Sequence, residues 1–216
     1  MKLTIVVACW RKPGVEKTII DLKNQTYQNF EVILVNDCSE SILREDLINW
    51  CKDDPRFHWI DIGFHTGFYG GIARNIGVMT SFVYFSELSR KADTDWWIAF
   101  HDDDNYWYPN YLEERVQAHK DHPEAVLVGG DIEVRGVINP DYNHIMACKV
   151  YPQNCDLGCW IYRHDMFAKY GFFPASDRFK ITYDWELVRR ISVGEGMDKI
   201  HMIQGPPSFA FYHRER

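Results

Sequence analysis

No uninterrupted apolar stretch in this chain approaches the ~18 residues that a membrane-spanning helix requires, and the opening MKLTIVVACW is too short and too strand-like for a secretory signal. A cytoplasmic protein without a transmembrane segment is expected, with peripheral membrane association left open. Cysteine is present but unpatterned. The six residues Cys9, Cys38, Cys51, Cys148, Cys155 and Cys159 contain no Cys-x-x-Cys spacing, which argues against a zinc site and favours reduced thiols over disulfides; Cys155 and Cys159 come nearest to a pair. Positive charge is in short supply as well. Lys and Arg total 24 against 31 Asp and Glu, a formal charge of −7, which excludes a broad nucleic-acid footprint but leaves room for a local basic pocket. Internal repeats, low-complexity linkers, a Gly-x-Gly-x-x-Gly fingerprint and a Walker sequence are all missing.

What is there is an ordinary globular composition, 46% hydrophobic and 25% charged over 216 residues, enough for one domain with a full core. Aromatic content is high at 15%, and rings that fill cores also stack on sugars and bases. Residues 3–8 form a β-branched run, Pro13-Gly14 and a helical pattern through Ile19, Ile20 and Leu22 follow, and 32–35 repeat the strand signal. The same logic predicts a helix over 42–51, a short strand over 57–62, a helix over 71–89 and a buried strand over 97–100. Such alternation indicates an α/β fold with a mostly parallel sheet and helices on both faces. After Pro109 comes a helix with Leu112, Val116 and His119 on one face, then a strand over 125–128. Residues 129–151 are strand-rich, interrupted by Asn139-Pro140-Asp141, which reads as a hairpin or excursion. Helices near 163–170 and 182–192 and strands over 200–203 and 209–212 complete the chain.

The sharpest feature is WWIAFHDDDNYWYP, where a buried strand stops at Asp102, Asp103 and Asp104. In open α/β sheets ligands gather at the carboxyl ends of strands, and adjacent carboxylates call for a positive partner. A hard, oxygen-seeking cation such as Mg²⁺ or Mn²⁺, holding a phosphate, suits them; a solvated acidic turn capping the next helix is the plainer alternative. Asp37 ends the second strand, where it can accept from the imide N–H of a base, or where it or Ser39 can cap a helix. The loop Gly67-Phe68-Tyr69-Gly70-Gly71 runs into a helix carrying Arg74, an arrangement that favours an anion. At ~100° per residue, Ile181, Trp185, Val188 and Ile191 share a helix face with Asp184 inside it, while Glu186, Arg189 and Arg190 project from the other side. An inward carboxylate is costly unless paired or catalytic, so Asp184 reads as a general base or as a first-turn acid facing the helix dipole.

Six segments occur in one order: Val6-Val7-Ala8-Cys9-Trp10-Arg11, Asn24-Gln25-Thr26-Tyr27, Glu31 through Ser39, Ala73-Arg74-Asn75-Ile76-Gly77, Asp102-Asp103-Asp104 and Tyr183-Asp184-Trp185-Glu186-Leu187. Together they resemble glycosyltransferase family 2, of GT-A fold, over nearly the whole chain. The resemblance implies one catalytic domain over 1–216, with a nucleotide-sugar-binding half at 1–108 and an acceptor-binding half at 109–216. It implies Ala8, Cys9, Trp10 and Arg11 beside the nucleotide, with Trp10 in place of a tyrosine near the base. Asp37 would read the base, Arg74 would lie near the nucleotide, and Asp102 and Asp103 would belong to the donor site. Asp104 would bind Mn²⁺ or Mg²⁺ bridging the diphosphate, with His213 as a late additional position, and Arg214 and Arg216 beyond it. Asp184 would be the catalytic base of an inverting transfer from a nucleotide-diphospho-sugar, UDP preferred, to a glycan or other hydroxyl acceptor in glycan or polysaccharide synthesis. Trp107, Tyr108, Trp160 and Tyr183 are candidates for the sugar or acceptor pocket. Ala8, Asn36 and Tyr183 stand where the family commonly has proline, aspartate and glutamate.

Three other readings compete with this one. A nucleotidyltransferase making activated sugars would need a glycine-rich basic loop after the first strand, which is missing. A calcium loop from Asp102 to Glu113 fails because Tyr106 and Trp107 stand where a ligand and the glycine belong. An inactive nucleotide-sugar binder would keep the nucleotide residues without using Asp184.

Overall fold

The computed structural model describes residues 1–84, 95–136, 141, 143–150, 155–175 and 183–213. The β-branched opening forms β1 (Lys2–Cys9), with Leu3 through Val7 wholly buried. Pro13 falls in the first turn of α1 (Lys12–Lys23), where its missing N–H is harmless. The alternation continues through β2 (Phe30–Asn36), α2 (Arg44–Cys51), β3 (Phe57–Asp61), α3 (Gly71–Tyr84) and β4 (Trp96–Asp102). A short β5 (Asn105–Trp107) and α4 (Tyr111–Asp121) follow. The second half supplies β6 (Leu127–Gly130), β7 (Ile132–Gly136), β8 (His144–Met146), β9 (Trp160–Arg163), α5 (Asp165–Tyr170), α6 (Tyr183–Glu195), β10 (Ile200–Ile203) and β11 (Phe209–His213).

Seven strands make the central sheet in the order β10-β6-β9-β4-β1-β2-β3, and four make a smaller one, β5-β11-β7-β8. In the large sheet only β9 runs against its neighbours. Because strand side chains alternate between faces, Val7 and His101 point one way and Val6 and Phe100 the other. Thr18 of α1 reaches His101, whereas α3 packs over Val6 and Val35, so helices cover both faces. The Asn24-Gln25-Thr26-Tyr27 segment is a fastening: Gln25 donates to the Tyr108 carbonyl and accepts from the Leu112 N–H, fixing the start of α4.

Two elements differ from the sequence reading. Residues 160–163 are the strand β9, so the helix expected near 163–170 begins only at Asp165, and the short strand β5, for which the sequence carries no expectation, lies between the aspartates and α4. Glu186 is also buried, held by Arg189 at 2.8 Å, while Arg190 donates to the Tyr170 and Phe172 carbonyls, so this side of α6 is not a free solvent face. The helix expected over 71–89 is described as far as Tyr84; residues 85–89, the Asn139-Pro140 excursion, Ile181, Arg214 and Arg216 lie outside the described residues. Among the described residues no helix is long and apolar enough to cross a membrane.

The contact between α3 and the sheet depends on Gly77. A Cβ there would stand 2.4 Å from Val6 Cγ1 and 3.1 Å from Val35 Cγ2. Gly77→Ala should therefore lower unfolding free energy by about 1–3 kcal/mol through overpacking, read from urea denaturation. An unchanged midpoint would mean that α3 lifts from the sheet without cost.

Candidate active site

The register sets Cys9 beside Asn36 and Ala8 beside Asp102, so the residues that follow three neighbouring strands emerge together. From β1 the chain builds outward to β2 and β3, then returns to place β4 on the other side of β1. That reversal opens a crevice at the strand ends, the usual ligand position in such sheets. Here it is a cleft of about 640 Å³ whose walls include Ala8, Cys9, Trp10, Arg11, Asp37, His65, Arg74 and all three aspartates.

The three aspartates are not equivalent. Asp103 turns inward, 7% exposed, and accepts from the Trp10 N–H at 2.9 Å, from the Arg11 N–H, and from Arg11 Nε at 3.1 Å. It is thus a clasp between the ends of β1 and β4 at the wall of the cleft. Gly14 makes room for the same turn, since a Cβ there would lie 1.8 Å from the Asp103 carbonyl oxygen. Asp102 is paired with Arg74, whose other nitrogen donates to the Tyr69 carbonyl at 2.7 Å. Burial pushes the Asp102 carboxyl up, Arg74 pulls it down, and the neighbouring aspartates push it up again. Asp104 keeps a partly exposed carboxylate that meets Arg11 Nη2 at 2.8 Å. Beneath them His101, fully buried and held down to about pKa 4 by that burial, places Nδ1 2.8 Å from the Asp102 carbonyl; as a neutral ring it can donate there and fix the turn.

At the far side Asp37 accepts from the Thr66 N–H at 2.8 Å and lies 3.3 Å from His65 Nδ1. The His65 ring sits 4.7 Å from the half-exposed Trp10 ring, making an aromatic wall beside the carboxylate. The residue capping α2 is Leu43 and the one capping α4 is Asn110, so neither Asp37, Ser39 nor the aspartate cluster serves as a helix cap. Phe68 and Tyr69 both adopt φ of 51°, a left-handed conformation that turns the Tyr69 carbonyl toward Arg74. Asn75 fixes the neighbouring loop, exchanging hydrogen bonds of 2.9 and 3.0 Å with the backbone of Phe173.

Asp184 lies in the first turn of α6, its carboxylate accepting from the Trp185 N–H at 2.7 Å. Burial raises it to about 6, while Arg74 draws it down and Asp102 adds to the rise, so all three groups share one electrostatic neighbourhood. Sequence reasoning missed Asp156, which belongs to that neighbourhood. It accepts from the Gly158 N–H at 2.8 Å, and burial followed by Asp102 and Asp184 raises it to about 8. Nothing in its sequence context marks it, since it stands alone before a single 3₁₀ turn.

The expected aromatic pocket is not formed as read. Trp107 is 1% exposed and stacks on Tyr111 at 3.9 Å, and Trp160 is fully buried with its Nε1 donating to Cys155 Sγ. Both are core residues rather than cleft walls. Tyr108 donates to Glu133 on the small sheet. Tyr183 begins α6 and His213 ends β11, but their side chains lie outside the described residues.

Among the described residues no three His, Cys, Asp or Glu side chains are gathered to hold a metal ion unaided. The donor chemistry still suits a hard dication: Asp104 offers carboxylate oxygen to the cleft, and Mg²⁺-like ions commonly use one or two carboxylates together with substrate phosphates.

The family model described as Glycosyl transferase family 2 matches residues 4–182. An uncharacterized glycosyltransferase of Rickettsia bellii (strain RML369-C) is 36% identical over 102 residues, which is 47% of this chain and 12% of that protein. The S. aureus TarS 1-349 structure in complex with UDP is similar with a TM-score of 0.68 at 16% identity, covering 99% of this chain and 61% of that one. GalNAc-T7 with UDP, GalNAc and Mn²⁺ gives 0.70 at 14% identity over 99% of this chain and 44% of that one. This chain therefore spans about an eighth of the curated relative's length. At these identities the solved structures establish the fold, an α/β architecture of GT-A type.

Asp156 and Asp184 both stand above the ordinary carboxylate value, so the stability they lend is complete at low pH and is lost as pH rises through about 6 and then about 8. Asp156→Asn preserves an oxygen for the Gly158 N–H and removes the titration. It should be more stable than the parent at pH 8.5 by on the order of 1–3 kcal/mol, with a flatter profile between pH 6 and 8 in urea denaturation. Equal midpoints at pH 8.5 would show that Asp156 carries no desolvation penalty.

Proposed function

The chain belongs to glycosyl transferase family 2, and on that footing we propose that it moves a sugar from a nucleotide-diphospho-sugar to an acceptor hydroxyl, with inversion, in glycan or polysaccharide synthesis. One observation carries this reading: a cleft at the switch point of the sheet brings together the Asp37 carboxylate, Arg11 and Arg74, and the turn of three aspartates. Asp37 accepts from the imide of the base, beside the Trp10 and His65 rings. Arg74 and Asp102 stand toward the ribose and diphosphate. UDP is the preferred nucleotide, in keeping with its presence in the TarS and GalNAc-T7 structures.

Departure of a nucleoside diphosphate requires neutralisation of its growing charge. Mn²⁺ or Mg²⁺ at Asp104 would supply that electrophilic help when bound. Asp184 removes the proton of the acceptor hydroxyl as that oxygen attacks the anomeric carbon from the face opposite the leaving group. Its partial burial suits the task, because a base held near 6 is ionised at neutral pH yet remains a better proton acceptor than an ordinary carboxylate. Asp156, largely protonated at neutral pH, contributes no competing negative charge.

Two measurements test the assignment. Thermal melts with UDP, GDP, dTDP and CMP, each with Mn²⁺ and with EDTA, should give a metal-dependent rise in Tm of about 5 °C at a concentration roughly a hundredfold above Kd for one nucleoside diphosphate. No shift with any of the four would overturn the nucleotide-sugar reading. In turnover assays kcat/KM should climb through about pH 6 and level off above it. Asp184→Asn should remove that limb and lower kcat by roughly 10²–10⁴-fold while leaving UDP affinity close to the parent's. A variant as fast as the parent would instead mark a different base.

A further inference from the structure

Arg11 has a place in the cleft that the transfer reaction alone does not account for. Its backbone N–H, Nε and Nη2 all bond to Asp103, a carboxylate almost entirely removed from solvent, so the guanidinium is fixed at its root. The Nη2 that lies 2.5 Å from Asp103 Oδ1 also lies 2.8 Å from Asp104 Oδ2. Burial works against the charge of Arg11, but its hydrogen bonds to Asp103 and Asp104 outweigh that cost and hold it firmly protonated. A permanent cation therefore already sits on the carboxylate that offers itself to a metal.

We propose that Arg11 is a resident counter-ion of Asp104 which weakens divalent metal binding in the absence of nucleoside diphosphate, so that metal and diphosphate bind to this protein cooperatively. The inference rests on the reading of Asp104 as the metal-holding residue. A dication arriving without nucleotide would share one carboxylate with a fixed guanidinium a hydrogen bond away, and no three-residue ligand set among the described residues would compensate. A diphosphate changes the balance. Its oxygens would supply the further hard ligands that Asp104 alone does not, and would give the guanidinium another anion to pair with. Linkage then requires that nucleotide strengthen metal binding by the same factor by which metal strengthens nucleotide binding. Arg11 sets that factor by weakening the metal-only state.

The test is isothermal titration with Mn²⁺, alone and in the presence of UDP, on the parent protein, Arg11→Gln, Arg11→Lys and Asp104→Asn. Arg11→Gln should bind Mn²⁺ alone roughly tenfold more tightly than the parent, and the gain in Mn²⁺ affinity produced by UDP should shrink correspondingly. Arg11→Lys supplies a point charge that cannot bridge both carboxylates as the fork does, and should fall between them. It carries the test if loss of the Asp103 partner unfolds the glutamine variant, as checked by circular dichroism. Arginine variants that are folded and bind Mn²⁺ alone no more tightly than the parent would overturn the role of Arg11, provided that Asp104→Asn weakens Mn²⁺ binding. If Asp104→Asn binds Mn²⁺ like the parent, the metal does not use Asp104, and the reading beneath the inference falls as well.

Discussion

The site is organised around one buried carboxylate. Asp103 gathers two backbone N–H groups and a guanidinium from the segment after β1 and ties them to the segment after β4. A buried charge with this many donors is stabilising only when all are in place, and removal of one partner leaves the remainder uncompensated. That makes the two strand ends a single rigid edge. Asp102 and Asp104, flanking the clasp, are held outward at fixed positions because the residue between them is anchored inward. Gly14 above and His101 below complete the mould by closing on the backbone of the turn.

Charge in the cleft is layered accordingly. Arg74 answers Asp102, Arg11 answers Asp103 and Asp104, and the acids behind them, Asp156 and Asp184, are pushed toward their protonated forms by burial and by the Asp102 charge. These two acids are graded, so at neutral pH Asp184 has lost most of its proton while Asp156 still holds most of its own.

Much of the architecture was legible because the first half obeys simple periodicities. The β-branched runs at 3–8 and 32–35, the Pro13 start and the abrupt end of 97–100 at three aspartates locate β1, β2, α1 and β4 closely. The family resemblance then brought Asp37, Arg74 and the aspartates to one place; the register of three adjacent strands does the same for the carboxylates, and the pairing with Asp102 does it for Arg74. Orientation was not legible. Asp103 has the same letter as its neighbours but the opposite direction, a property of the turn and not of composition. Trp107 and Trp160 are rings near the site in sequence yet sit in the core, since an aromatic residue serves either place equally well. Asp156 lacks any periodic context, and β9 is a four-residue strand whose pairing lies far away along the chain, where local propensity carries no information.

That reversed strand has a consequence for how the molecule is built. β6 does not touch β4 directly; β9 lies between them and runs against both. During synthesis β1 to β4 emerge first and can pair among themselves, but β4 then presents an open row of backbone donors and acceptors until residues some sixty positions later return to close it. Closure of that seam is a high-contact-order event, intrinsically slow, and the exposed edge is the place where another chain could add in its stead. The assembly hazard of this protein is thus concentrated along the same strand that carries its aspartates.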